Sequence, residues 1–439
     1  MRTIMSKIAL APLALCMALT VGCLTLFAMN TAALAQVTFS VEGKGEGTIR
    51  IDLLLSPAAG VDRGELLTMG RLVQRDLHSR GFFSLAILPP GASSSQNGWQ
   101  QTADTSTYRV AVTAEASGAG GRTIGVDVAP SGSSSQGLRR KFQVSENDTT
   151  LIGHTVSDIL YEYFVGRVGY FATKIAYVRQ VSKGSRQQTQ IVAAYSDGSD
   201  LRVLAESSAE LASPHISADG NTLVYTRFSD NRPRLFFRDL RSNRSGPIFR
   251  DKAIRFGPDI APDGSIFYTK TVNGNADIYR ARIGSARETR LTLSPSIETE
   301  SAVSPIGDKL VYITDAQRGL RLVIHDLASG STRILGSGGN YGSPSWSPDG
   351  KMVAFTKQAG GTFSIGYLNL ETGEERLVST SYFEEHPTWA KNGRVILFER
   401  GARNGRGKGN SLWQVDLDSG RLARLPLNTS AFDPVWLSQ

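Results

Sequence analysis

The sequence predicts a multi-domain protein: a small N-terminal mixed α/β domain, then an all-β six-bladed β-propeller closed by the C-terminal strand. Three observations carry that prediction. A Pro/Asp/Gly turn motif recurs at a near-constant interval through the second part of the chain. The apolar runs around each turn suffice for four short antiparallel strands. The two ends of the periodic region hold complementary fragments of one further unit.

The chain opens with an export signature. Arg2 and Lys7 form a basic patch, Ile8 to Met29 carry no charge, and Ala33-Leu34-Ala35 supplies a small-x-small cleavage site. Residues 1–35 are therefore expected to be a signal peptide removed before Gln36. An uncleaved anchor and lipidation at Cys23, after Thr20-Val21-Gly22, are the competing readings. Cys16 and Cys23 are the chain's two cysteines, so the processed chain has no disulfide, thiolate metal site or cysteine nucleophile. Loss of Arg2 and Lys7 lowers the formal charge of +8 by two. The remaining charge is spread thinly, which argues against nucleic acid as a partner.

Residues 36–169 read as the α/β domain. Val37, Phe39 and Val41 alternate with polar residues as in a short strand, and Thr48 to Leu55 reads as a second strand. Asp62 and Glu65 resemble a capping box. Leu66, Met69, Val73 and Leu77 then recur at helical spacing until Gly81. Strand-like runs follow at Tyr108 to Thr113, Thr123 to Val128 and Leu138 to Val144, separated by Gly/Ser-rich loops. Asp148 caps a last helix, Thr149 to Phe164.

Residues 170–439 read as the propeller. The unit Ser213-Pro214-His215-Ile216-Ser217-Ala218-Asp219-Gly220 has counterparts ending at Gly264, Gly307, Gly350 and Gly393, spaced 44, 43, 43 and 43 residues. Each turn is followed by an aromatic-aliphatic strand, such as Leu223-Val224-Tyr225 or Ile396-Leu397-Phe398. Asp433-Pro434-Val435-Trp436 is an inner-strand motif with nothing after it to pair with. Ile175 to Tyr177, Ile191 to Ala193 and Leu201 to Leu204 are outer strands with no inner strand before them. Joined, they complete a sixth blade and remove the free edges.

A search for chemistry returns no expected catalytic residue, metal ligand or cofactor. Neither Gly-x-Ser-x-Gly nor His-Glu-x-x-His occurs. Gly405 to Gly409 resembles a phosphate loop, but Ala402 and Gly409 stand where Gly and Ser/Thr are needed. His78, His154, His215 and His325 show no ligand spacing. Asp197 to Asp200 and Asp416 to Gly420 read as blade turns rather than calcium loops.

The run from Ser343 to Phe355, Ser-Pro-Ser-Trp-Ser-Pro-Asp-Gly-Lys-Met-Val-Ala-Phe, resembles the blade motif of the TolB family of six-bladed propellers. His154 to Asp158 followed by Gly169 to Val178 looks like the hinge that joins the family's two domains, and Phe432 to Trp436 is similar to its ending. The resemblance implies a soluble, monomeric, non-enzymatic interaction component of the Tol–Pal system in the periplasm of Gram-negative bacteria. Its role there would be outer-membrane integrity and invagination at cell division. It implies two partners: the peptidoglycan-associated lipoprotein Pal at the propeller mouth, which would make the protein peripheral to the outer membrane, and TolA at the N-terminal segment.

Carried over residue by residue, Thr299 and Glu300 match the family's Thr-Glu at the rim. Tyr341, Glu385, His386, Arg255 and Phe432 are expected at equivalent points of other blades; Ile254-Arg255 departs from the family in lacking a His. Gln36, Val37, Phe39, Val41 and Glu42 form the expected TolA-binding segment, an edge strand able to pair with a partner sheet or else one held within its own domain. Two other functions stay open. One is an exported propeller hydrolase or lyase, for which Glu300, Glu385 and His386 are the only candidates. The other is a purely structural or ligand-sensing propeller.

Overall fold

The computed structural model describes residues 48–57, 62–81, 83–88, 107–116, 121–131, 137–144, 148–184, 186–230, 232–316, 319–401 and 409–437. The expected signal peptide and the segment residues Gln36, Val37, Phe39, Val41 and Glu42 lie outside these residues.

The first region is a five-stranded sheet in the order β2-β1-β3-β4-β5 with two helices. Its elements are β1 (Ile49–Pro57), α1 (Arg63–His78), β2 (Phe83–Leu88), β3 (Thr107–Ala116), β4 (Arg122–Pro130), β5 (Arg139–Val144) and α2 (Thr149–Val165). Strand β1 lies inside the sheet and pairs in parallel with both β2 and β3, which fits its Leu53-Leu54-Leu55 run. Strand β2 is absent from the sequence reading. It follows α1 after only a short turn, and its alternation is blurred by Ala86 and Ile87. Both helix starts are as expected: the Asp62 carboxylate accepts from Glu65 N (3.1 Å) and the Asp148 carboxylate from Thr150 N and Leu151 N (3.0 and 2.9 Å).

Six four-stranded sheets follow. In blade one, β6 (Lys174–Lys183), β7 (Arg186–Tyr195) and β8 (Arg202–Ser207) are completed by the C-terminal strand Ala431–Trp436, with Trp436 opposite Ile175 and Phe432 opposite Val178. Blades two to six span 211–247, 254–290, 298–335, 340–381 and 384–424. Each has its inner strand first and a Gly-centred turn to the second strand; Gly220 N donates to Ser217 O (2.8 Å) at φ +71°. Apolar side chains from neighbouring blades merge into shared cores, such as Val178, Ile191, Leu223 and Tyr225 between blades one and two.

The two regions meet at the hinge. The buried His154 ring lies with Nδ1 2.7 Å from Asp76 and Nε2 3.6 Å from Asp197 on the β7–β8 turn. Ser157 Oγ donates to the same Asp76 carboxylate (2.8 Å), and Arg75 pairs with Asp197. The Asp158 carboxylate accepts from Phe171 N (2.7 Å) and Ala172 N (3.2 Å). Burial nevertheless pushes its pKa up to about 6, against those bonds. Gly169 is required beside it, because a Cβ there would stand 2.4 Å from Asp158 Cα. Trp436 Nε1 donates to Thr173 Oγ1 (2.7 Å), so the ring-closing strand is tied to the hinge.

Candidate protein-binding mouth of the propeller

Each inner strand breaks register once against its second strand, as at Thr299/Ala302 and Glu385/Thr388. The residue inside each break is left-handed: Ser213 (φ 49°), Gly257 (58°), Glu300 (54°), Ser343 (48°), His386 (53°) and Asp433 (47°). In blades two to six this residue stands seven positions before the turn glycine. Five of the six are not glycine. Each such residue costs about 1–3 kcal/mol and persists only where its surroundings hold it.

Neighbouring blades hold four of the six. Ser213 N donates to Asp433 Oδ2 (2.9 Å), Gly257 N to Thr226 Oγ1 (3.1 Å), and Asp433 N to Glu399 Oε2 (2.9 Å). Ser343 N donates to the Glu300 carboxylate. The ring frames a cavity of about 260 Å³ on the axis, lined also by His215, Asp259, Ser345, Thr388 and Val435. The charges there are coupled. His386 Nδ1 lies 3.0 Å from Asp433 Oδ1 and 3.5 Å from Glu399 Oε1. Burial opposes its protonation, but the Asp433, Glu399 and Glu385 carboxylates outweigh that and push it up to about 10. Burial first, then the neighbouring carboxylates, raises the pKa of Glu385. His215 Nδ1 lies 2.9 Å from Asp259 Oδ1. Its pKa is also raised, because Asp259 and Asp433 overcome the effect of its burial.

Among the described residues, Glu385, His386 and Glu399 hold ligand-type atoms within 4.8 Å of one another and could take a cation. The imidazolium already offsets part of the carboxylate charge of this cluster, and a metal would have to displace its proton.

Of the expected residues, Glu300 and His386 are ring positions, and Thr299, Glu385 and Phe432 each stand one residue before a ring position; all five are partly or fully exposed. The structure does not bring Arg255 or Tyr341 there. Arg255 is 2% exposed, held by Asp251 (2.5 and 2.9 Å) and Glu288 (2.7 and 2.9 Å) and stacked on Phe249. Tyr341 is 1% exposed and donates to Glu375 (2.8 Å). The cause is a slip of one residue: Phe256-Gly257 and Gly342-Ser343 are the true counterparts of Thr299-Glu300, and one step along a strand reverses the face. Asp433, Ser213, Ser343 and Glu399 were missed. Counting seven back from each turn glycine finds the two serines. Asp433 follows by homology of Asp-Pro to His386-Pro387, whereas Glu399 reaches the mouth from a second strand and leaves no such signal.

Residues 161–439 match the family described as the TolB beta propeller domain. The Tol-Pal system protein TolB of Gluconobacter oxydans (strain 621H) is 28% identical over 356 residues, covering 78% of this chain and 77% of that protein. The protein of the same description from Dinoroseobacter shibae is 35% identical over 162 residues, 36% of each chain. The crystal structure of TolB from Acinetobacter baumannii shares the fold, with a TM-score of 0.75 at 23% identity over 89% of this chain and 96% of that one. With a family match that spans more than half its length, the chain belongs to the TolB beta propeller family.

Proposed function

We propose that the chain is a periplasmic protein-binding component of the Tol–Pal system, with no catalytic step of its own. In this reading the propeller mouth grips Pal, and the segment Gln36 to Glu42 engages TolA. Residues 1–35 direct export, 36–169 carry the segment, and 170–439 form the grip. The observation that supports it is the ring of six left-handed positions, stitched from blade to blade. It sets Glu300 and His386 at one concavity, with Thr299, Glu385 and Phe432 each one residue before a ring position. Separate blades each contribute a side chain to a shared recess, which suits a convex polypeptide better than a small substrate. A propeller enzyme would have to work with Glu300, Glu385 and His386. His386 stays protonated at neutral pH beside Asp433 and Glu399 and offers no general base there.

A pull-down from envelope extract tests the proposal. The expected result is a peptidoglycan-binding lipoprotein recovered by the intact protein and lost with the Glu300→Ala/His386→Ala double variant. Equal recovery by both, or recovery of no such protein, overturns it. If the two partners are coupled, the TolA affinity measured with saturating Pal differs from that without it.

A further inference from the structure

Blade two carries a charge arrangement that the mouth does not use. Its second strand (Thr222–Ser229) and third strand (Arg232–Asp239) pair with Arg227 directly opposite Arg234 and Tyr225 opposite Phe236. Opposite residues of an antiparallel pair project from the same face, so two guanidinium groups stand side by side, an arrangement that destabilises a bare sheet. Arg227 is fixed over the Phe236 ring at 5.2 Å, and Phe236 stacks on Tyr225. The Nε atoms of both arginines are buried without a hydrogen-bond partner. No carboxylate among the described residues lies within ion-pair distance of either group. Asp230 on the intervening turn and Glu210, beside the Leu211 that pairs with Arg227, are exposed and unengaged with them. Arg255 in blade three shows what the same fold does for a buried arginine: it supplies two carboxylates. Blade two supplies none.

We propose that Arg227 and Arg234 form a binding site for a phosphoryl oxyanion on the face of blade two whose Tyr225 and Phe236 pack toward blade one. Two guanidinium forks presented from one face match a tetrahedral dianion, which accepts from both and cancels their repulsion. An added peptide strand does not fit. Leu235 O accepts from Ile248 N (2.9 Å), so the odd-numbered residues of this strand face outward, and there Pro233 lacks the N–H that strand addition needs. A phosphorylated lipid headgroup and a free phosphate or soluble phosphoester share this chemistry.

The test uses the purified protein with inorganic phosphate and pyrophosphate in solution, against chloride at matched ionic strength. A second arm uses vesicles of phosphatidylglycerol against phosphatidylcholine. The expected result is a melting temperature raised by phosphate beyond chloride. Arg227→Gln and Arg234→Gln should each weaken binding about tenfold, while Arg241→Gln on an exposed turn of the same blade leaves it unchanged. Arginine-dependent binding to the anionic vesicles assigns the site to a lipid headgroup; binding of dissolved phosphate alone assigns it to a soluble ligand. If neither probe distinguishes the parent from the two variants, the site does not exist. Without anion at low salt, Arg234→Gln should melt at a higher temperature than the parent, since a repulsion is gone. A lower melting temperature would show that the pair stabilises the fold unaided, and would also overturn the proposal.

Discussion

His154 at the hinge and His386 at the mouth are built from the same parts and placed in opposite settings. Each imidazole faces carboxylates from more than one element: Asp76 and Asp197 for His154, Asp433 and Glu399 for His386. His154 is 1% exposed, while the His386 side chain is 39% exposed. In the sealed site such a cluster can only hold two regions in register, and removing a partner strands a buried charge. In the open site the imidazole edge itself reaches solvent, while its carboxylate partners stay covered. One strand serves both settings: Ala431–Trp436 brings Asp433 to the mouth and Trp436 to the hinge.

Because both ends depend on that strand, the largest effect should come from removing it. Deleting residues 432–439 opens blade one and abolishes the cooperative melt followed by circular dichroism; an unchanged melt would contradict closure by this strand. Next in size is the contrast between the histidines. His154→Ala leaves Asp76 buried against an apolar core, and denaturant unfolding should show a loss of about 3 kcal/mol. His386→Ala should cost less, about 1 kcal/mol, since its ring is open to solvent and the Asp433 and Glu399 carboxylates keep their backbone donors, Ser213 N and Asp433 N. Equal losses would erase the distinction between sealed and open.

The titration of His386 gives a smaller, signed effect. Its folded pKa of about 10 lies above the usual imidazole value of about 6.5. The stability it contributes is therefore complete below the lower value and fades as pH rises through the upper one. Exposure holds the amplitude to about 1 kcal/mol. Stability of the parent minus that of His386→Gln, measured from neutral to alkaline pH, should fall over that window. A difference that rises would reverse the assignment. Smallest is the effect of the register correction on binding. Thr299→Ala should weaken the partner about threefold. Arg255→Met should leave the affinity of the folded fraction unchanged and register only in stability. A loss of affinity with Arg255→Met would return that residue to the rim.

Much of the fold was legible because its signals are local. The 43–44-residue spacing, the turn chemistry and the orphan strands at both ends predict six blades and their closure. Asp62 and Asp148 mark their helices because caps are read within four residues. Strand β2 escaped, being short and set directly behind a helix. The site was half legible. Glu300 and His386 stand in the ring and Thr299, Glu385 and Phe432 one residue before it, but Arg255 and Tyr341 are core residues one step out of phase. Residue type suggested a rim, while register decided the face. Glu399 and the Arg227–Arg234 pair depend on which strands and blades become neighbours, which no single segment of sequence encodes.

Calorimetric titration of the soluble domain of Pal into the parent and into Glu300→Ala bears hardest on the mouth as a protein-binding surface. Glu300 is exposed and its carboxylate holds the next blade's ring residue, so truncation removes a partner contact and loosens Ser343 together. The expected outcome is binding by the parent and affinity at least about tenfold weaker in the variant, with the variant melting somewhat lower but fully folded at the temperature of the titration. Equal affinity in the two proteins, or no binding by the parent, would contradict the mouth's proposed role.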